Sequence, residues 1–177
     1  IKKKIILITG NELRHKFFAS YMSSFKNISL KLVIHEKNLK LKDNALYKND
    51  LIVKKHIDER NKSERRFFNK FIEKNKRYKF KTLKNGEINA DEVINLIKKK
   101  KVNYIISYGC SIVKKKFINT FKNKFLNIHL GLSPYYKGSG TNFFPFVNNE
   151  LQFCGETIMK ISSKLNSKKI LHQVRPK

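Results

Sequence analysis

At 177 residues, with 40% apolar residues and fourteen Phe, the chain is long enough to bury one substantial core and too apolar to be disordered. Its formal charge of +27 rests on 34 Lys and only six Arg. That skew reads as an AT-rich coding bias rather than as selection for phosphate binding, which also recruits the Arg fork. No apolar run nears the ~20 residues that span a bilayer, and two cysteines without metal-like spacing give neither a disulfide framework nor a metal site.

The first element, Lys4–Thr9, is a continuous apolar strand of the kind buried on both faces of a parallel sheet. Gly10-Asn11 turns the chain, and 12–25 reads as a helix with Leu13, Phe17 and Met22 near one face. Ser29–Ile34 is a second strand, which completes a βαβ unit. Residues 36–56 lack clear periodicity and are expected to form an irregular surface segment.

A polar helix is expected over 58–76, with Phe67, Phe68, Phe71 and Ile72 as its buried stripe. A short strand at 78–83 and an Asn85-Gly86 turn follow. Asn89, three residues before Glu92, is placed to cap the next helix, which carries Val93, Leu96 and Ile97 and runs into Lys98–Lys101. Cations there meet the negative end of the helix dipole, so the main charge run needs no nucleic acid. Val102–Ser107 is another buried strand ending in the turn Tyr108–Ser111. A short helix at 114–121 leads to a strand at 125–129. A helix start at 142–146 is expected to pack its aromatics on the sheet, and 155–161 is a further strand.

This alternation predicts an α/β fold: one open, mostly parallel twisted sheet with flanking helices, Rossmann-like. Ligands in such sheets settle at the carboxyl ends of the strands, where Gly10-Asn11, Tyr108–Ser111 and Asn127–His129 all fall. The first βα turn lacks G-x-G-x-x-G, and no P-loop, nucleophile elbow or H-E-x-x-H is present.

Most informative is the stretch 125–142. Its strand carries Asn127 and His129 on one face, and the loop after it holds Gly131, Pro134, Gly138 and Gly140 in a chain with seven Gly and three Pro. An amide and an imidazole at a strand end, beside a constrained loop, suit stabilisation of charge developing on a small substrate.

Asn127-Ile128-His129, Leu132-Ser133-Pro134 and Tyr136-Lys137-Gly138 together resemble the signature of formyltransferases that use 10-formyltetrahydrofolate. The likeness is strongest over 102–175. It implies a formyltransferase-type domain over 1–177, although the missing initiator Met leaves open whether the chain is a fragment. It implies a cytoplasmic enzyme that moves a formyl group to a primary amine, with no metal. Catalytic positions carry over to Asn127, His129 and Asn166. Folate-side contacts carry over to Gly109, Cys110, Ser111 and Leu165, and acceptor-side contacts to Gly10, Asn11, Ser133 and Gly138. The third catalytic position departs from the family pattern, because Asn166 stands where an Asp is expected and Lys168 where a Gly is expected. Loss of one charged partner in such a constellation commonly costs about 10²–10⁴ in rate.

Glu156 is a candidate for the missing charge. Arg14 and His15 are placed to touch an anionic acceptor. A tRNA-directed enzyme is expected to carry a further C-terminal domain, which shifts weight to a small sugar- or nucleotide-like amine as partner. Three alternatives stay open: a non-catalytic folate- or sugar-binding homologue, a fragment of a tRNA-directed formyltransferase, and a basic RNA-binding module whose binding would depend steeply on salt and be insensitive to changes at Asn127 or His129. Nucleic acid is otherwise expected only as a weak, non-specific partner, and no membrane partner is expected. The oligomeric state is not written in the sequence.

Overall fold

The computed structural model describes residues 1–37, 50–138, 141–161 and 169–176. Their seven strands form one sheet in the order β3-β2-β1-β4-β5-β6-β7. β1 (Lys3–Gly10), β2 (Ile28–Lys37), β3 (Phe80–Lys84), β4 (Tyr104–Tyr108) and β5 (Phe125–Leu130) are mutually parallel. β6 (Glu156–Lys160) and β7 (Lys169–Val174) extend the sheet antiparallel. The helices among the described residues are α1 (Leu13–Ser24), α2 (Leu51–Asn75), α3 (Asp91–Lys99), α4 (Lys115–Phe121) and α5 (Phe144–Val147).

The period-two repeat of the strands divides the core into two layers. Ile6 and Ile8 of β1, Leu32 and Ile34 of β2, Ile105 of β4 and Phe125 of β5 face α3 and α4, where they meet Val93, Ile97, Phe117 and Phe121. Leu7 and Val33 point the other way, to Ala19 of α1. Each such side chain, fully buried, stabilises the fold by about 1.5–3 kcal/mol before conformational entropy is charged against it. β1 and β4 lie side by side while their following chains leave toward opposite faces. That switch point opens a crevice at the carboxyl edge.

Several expectations change. The segment expected to be irregular over 36–56 is strand through Lys37 and helix from Leu51; its residues 38–49 lie outside the described residues. α2 begins seven residues before the expected start at 58, because the Asp50 carboxylate accepts the N–H groups of Ile52 and Val53 at 2.8 and 3.1 Å. Along its buried stripe, Phe68 and Phe71 pack on Phe17 and Ile72 is buried, but Phe67 is 71% exposed. α1 buries His15, Ala19 and Ser20 against the sheet, rather than Leu13, Phe17 and Met22. Asn89 is not the cap of α3, whose N-cap is Ala90. The aromatics around α5 do not pack on the sheet: Phe143, Phe144 and Phe146 are exposed, and only Pro145 of that single turn is buried.

Candidate functional site

A cleft of about 850 Å³ crosses the carboxyl edge of the sheet. Arg14 and His15 of α1, residues 107–113 at and beyond the end of β4, 127–130 of β5 and residues 138 and 141–143 line it. Asn127 and His129 therefore face one hollow. The i, i+2 spacing on β5 places both on the α3/α4 face, two and four residues beyond the buried Phe125.

Each of the two polar groups has a fixed partner. Ser107, 1% exposed, lies opposite Asn127 in the β4–β5 register, and its hydroxyl donates to Asn127 Oδ1 at 2.8 Å. With its oxygen engaged, the Asn127 amide offers its two N–H groups elsewhere. His129 Nε2 lies 3.3 Å from the Tyr136 carbonyl oxygen. A carbonyl only accepts, so Nε2 carries the proton and Nδ1 holds the lone pair in the neutral ring. Tyr136 is tied down in turn: its N–H donates to Leu132 O at 3.0 Å, and its hydroxyl bonds Glu150 and accepts from Asn148. Thr157 on β6 secures the loop root, donating to Gly131 O at 2.8 Å and accepting the Ser133 N–H at 3.0 Å.

On the α1 side the cleft wall depends on two glycines. A Cβ on Gly109, whose φ is +62°, would lie 2.4 Å from His15 Nε2; one on Gly10 would lie 2.6 Å from the same ring. His15 fills the space between the two strand ends. It accepts the Glu12 N–H on Nδ1 at 3.3 Å and meets Tyr108 edge-on at 5.1 Å. Burial above all, then Arg14 and His35, lowers its pKa to about 3, so this ring is neutral. Burial chiefly, with Glu36 adding to it, pushes the half-buried Cys110 thiol up to about 12.

Of the positions singled out in the sequence, Asn127, His129, Gly109, Cys110, Ser111 and Gly138 line this cleft. Gly10 stands behind His15, Asn11 is half-buried in the turn after it, and Ser133 spends its N–H on Thr157 and its carbonyl on Gln173. Asn166 and Leu165 lie outside the described residues. Arg14 is paired with Glu12 and with Glu64, the latter at 2.6 Å, rather than presented bare to an anion. Glu156 does not supply charge beside His129. It pairs with Leu130 in the β5–β6 register, whereas His129 pairs with Thr157, so its side chain occupies the opposite face of the sheet. Consistent with that placement, the Tyr108 hydroxyl is pushed up by burial first and by Glu156 second. Sequence reasoning missed Ser107 and Tyr136 as positioning groups. The one available signal was a Ser at an inward position of an otherwise apolar strand.

A family model described as formyl transferase matches residues 3–177 of this chain. Methionyl-tRNA formyltransferase of Finegoldia magna is 31% identical over 86 residues, a stretch covering 48% of this chain and 27% of that protein. Among solved structures, phosphoribosylglycinamide formyltransferase of Anaplasma phagocytophilum superposes with a TM-score of 0.62 at 14% identity, over 100% of this chain and 74% of that one. A formyltetrahydrofolate deformylase of Pseudomonas syringae pv. tomato superposes with a TM-score of 0.60 at 13% identity, covering 98% of this chain and 51% of that one. At these identities the structural likenesses carry the fold.

Proposed function

Since the chain belongs to the formyl transferase family, we propose that it moves a formyl group from 10-formyltetrahydrofolate to the primary amine of a small, sugar- or nucleotide-like acceptor in the cytoplasm, within one domain. The observation that carries this reading is the pairing of Asn127 and His129 in one cleft, each with one polar atom held by the protein. The cleft suits the donor. Its volume falls in the range of cofactor sites, and Val113, Ile118 and Ile161 give apolar wall beside the backbone of 109–111 for a flat heterocycle.

When bound, 10-formyltetrahydrofolate supplies an activated formyl carbonyl. The Asn127 amide, its oxygen already taken by Ser107, donates an N–H to the oxygen on which negative charge develops. His129 holds one proton on Nε2 against the Tyr136 carbonyl, leaving Nδ1 to take the proton that the attacking amine loses and to return it to the donor nitrogen as that nitrogen's bond to the formyl carbon breaks. Asn166 takes the third position as a neutral amide, and the activity is accordingly weaker than a carboxylate there would give. The pairing of Arg14 with Glu12 and Glu64 favours an acceptor without a phosphate at the start of α1. The likeness to a methionyl-tRNA formyltransferase favours a second reading, in which the acceptor amine is carried on tRNA.

The test measures the mass gain of formylation on amino sugars, nucleotide-linked amines and methionyl-tRNA. Expected are transfer by the unsubstituted chain, loss of about 10²–10³ in Asn127→Ala and a gain in Asn166→Asp. Absence of both transfer and folate binding in all three proteins removes the reading.

A further inference from the structure

Glu36 ends the inward row of β2, two residues beyond Ile34, and is 0% exposed. Its carboxylate meets three donors. Oε1 accepts the Gly86 N–H at 3.1 Å and the Ser111 hydroxyl at 3.0 Å, and Oε2 accepts the Ser111 N–H at 2.7 Å. Asn89 works beside it from the same turn. Its Nδ2 donates to Gly86 O at 3.2 Å and to Ile112 O at 3.0 Å, and its Oδ1 accepts the Lys114 N–H at 2.7 Å. Gly86 is thus held at both its N–H and its carbonyl, and the stretch after β4 is fastened at Ser111, Ile112 and Lys114.

That stretch is irregular backbone, residues 110–114 having neither helix nor strand, and residues 109–113 line the cleft. A fully buried carboxylate is expensive unless its geometry is well satisfied, and an apolar side chain would fill the same place without that penalty. What a carboxylate does here, and an apolar group cannot, is hold two chain segments in one relative position through four fixed acceptor directions.

We propose that Glu36, with Asn89, is a positioning residue that sets the shape of the loop 109–114 so that its backbone matches the flat heterocycle of the donor. The inference rests on the folate reading of the cleft. It assigns donor affinity to two side chains outside the reacting centre, and it leaves the acceptor's affinity and the chemical step to Asn127 and His129.

The discriminating variant is Glu36→Gln, which keeps the shape and loses one acceptor. An amide nitrogen placed at Oε2 sets N–H against the Ser111 N–H; placed at Oε1 it meets the Gly86 N–H. Asn89→Asp is the second variant. It keeps the bond from Lys114 N–H and loses both donations, to Gly86 O and Ile112 O. Binding of 5-formyltetrahydrofolate is measured for the unsubstituted chain and both variants, alongside amide exchange at 110–114 and at core residues Ile6 and Ile105.

The expected result is affinity about ten-fold weaker in each variant, the size of a buried hydrogen bond left unmade, with faster exchange confined to the loop. In steady-state transfer, the donor KM rises while kcat and the acceptor KM stay within about two-fold. Unchanged affinity in both variants overturns the proposal. So does a loss that follows the unfolded fraction, with core amides exchanging as fast as the loop. Absence of binding by the unsubstituted chain overturns the folate reading itself, and is told apart because it precedes any substitution.

Discussion

Replacing Gly109 by alanine sets two penalties in motion, and the structure separates them. Its φ of +62° lies in the left-handed region, where an L side chain costs about 1–2 kcal/mol. The new Cβ also lands 2.4 Å from His15 Nε2, with two more ring atoms at 3.2 and 3.3 Å. The ring has to move. Moving it breaks the bond from the Glu12 N–H and the edge contact with Tyr108, each worth about 0.5–1.5 kcal/mol. Gly109→Ala therefore costs about 2–5 kcal/mol in the normal background. In a His15→Ala background the obstacle is gone and only the backbone penalty of about 1–2 kcal/mol remains. The double-mutant cycle then shows a coupling of about 1–3 kcal/mol, the double variant being less damaged than the two singles predict. The chain has no Trp, so urea unfolding followed by circular dichroism is the assay. Equal cost of Gly109→Ala in both backgrounds would refute the claim that the His15 ring occupies this space.

Removing the hydroxyl in Ser107→Ala leaves Asn127 present but free to rotate; kcat for the proposed formyl transfer falls about 3–10-fold with little change in KM, far less than in Asn127→Ala. A Ser107→Ala variant indistinguishable from the unsubstituted chain would show that the amide is oriented by something else. His15 gives a pH signature: its pKa is near 6.5 unfolded and about 3 folded, so the unfolded chain binds the extra proton between those values and stability falls as pH drops through that window. The contribution approaches about 1.4 kcal/mol per pH unit and is absent in His15→Ala, which comparison of unfolding free energies across the window reads directly. Cys110, with its thiol pushed up to about 12, should alkylate with iodoacetamide at neutral pH about 100-fold or more slowly than a free thiol, and at the ordinary rate in urea. Peptide mapping by mass spectrometry follows that site alone, and labelling of the folded chain at the free rate contradicts the burial.

The sequence by itself determined the alternation of strands and helices, because both periodicities are local and survive without knowledge of any neighbour. It also placed Asn127 and His129 on one face, since a strand repeats every two residues wherever it lies in the sheet. The Asp50 cap was legible in principle, yet Leu51 and Ile52 are 81% exposed, so the start of α2 shows no apolar stripe to draw attention to it. Only the tertiary structure decided which partners fix the site. Ser107 reaches Asn127 across twenty residues of chain through the parallel register, and nothing local encodes that register. Glu36 makes the point most sharply. In the sequence it opens a charged stretch that reads as surface, and in the fold it is fully buried because two segments 50 and 75 residues away bring donors to its carboxylate. A charge can be buried only where such partners converge, and convergence is a property of the folded chain rather than of any window within it.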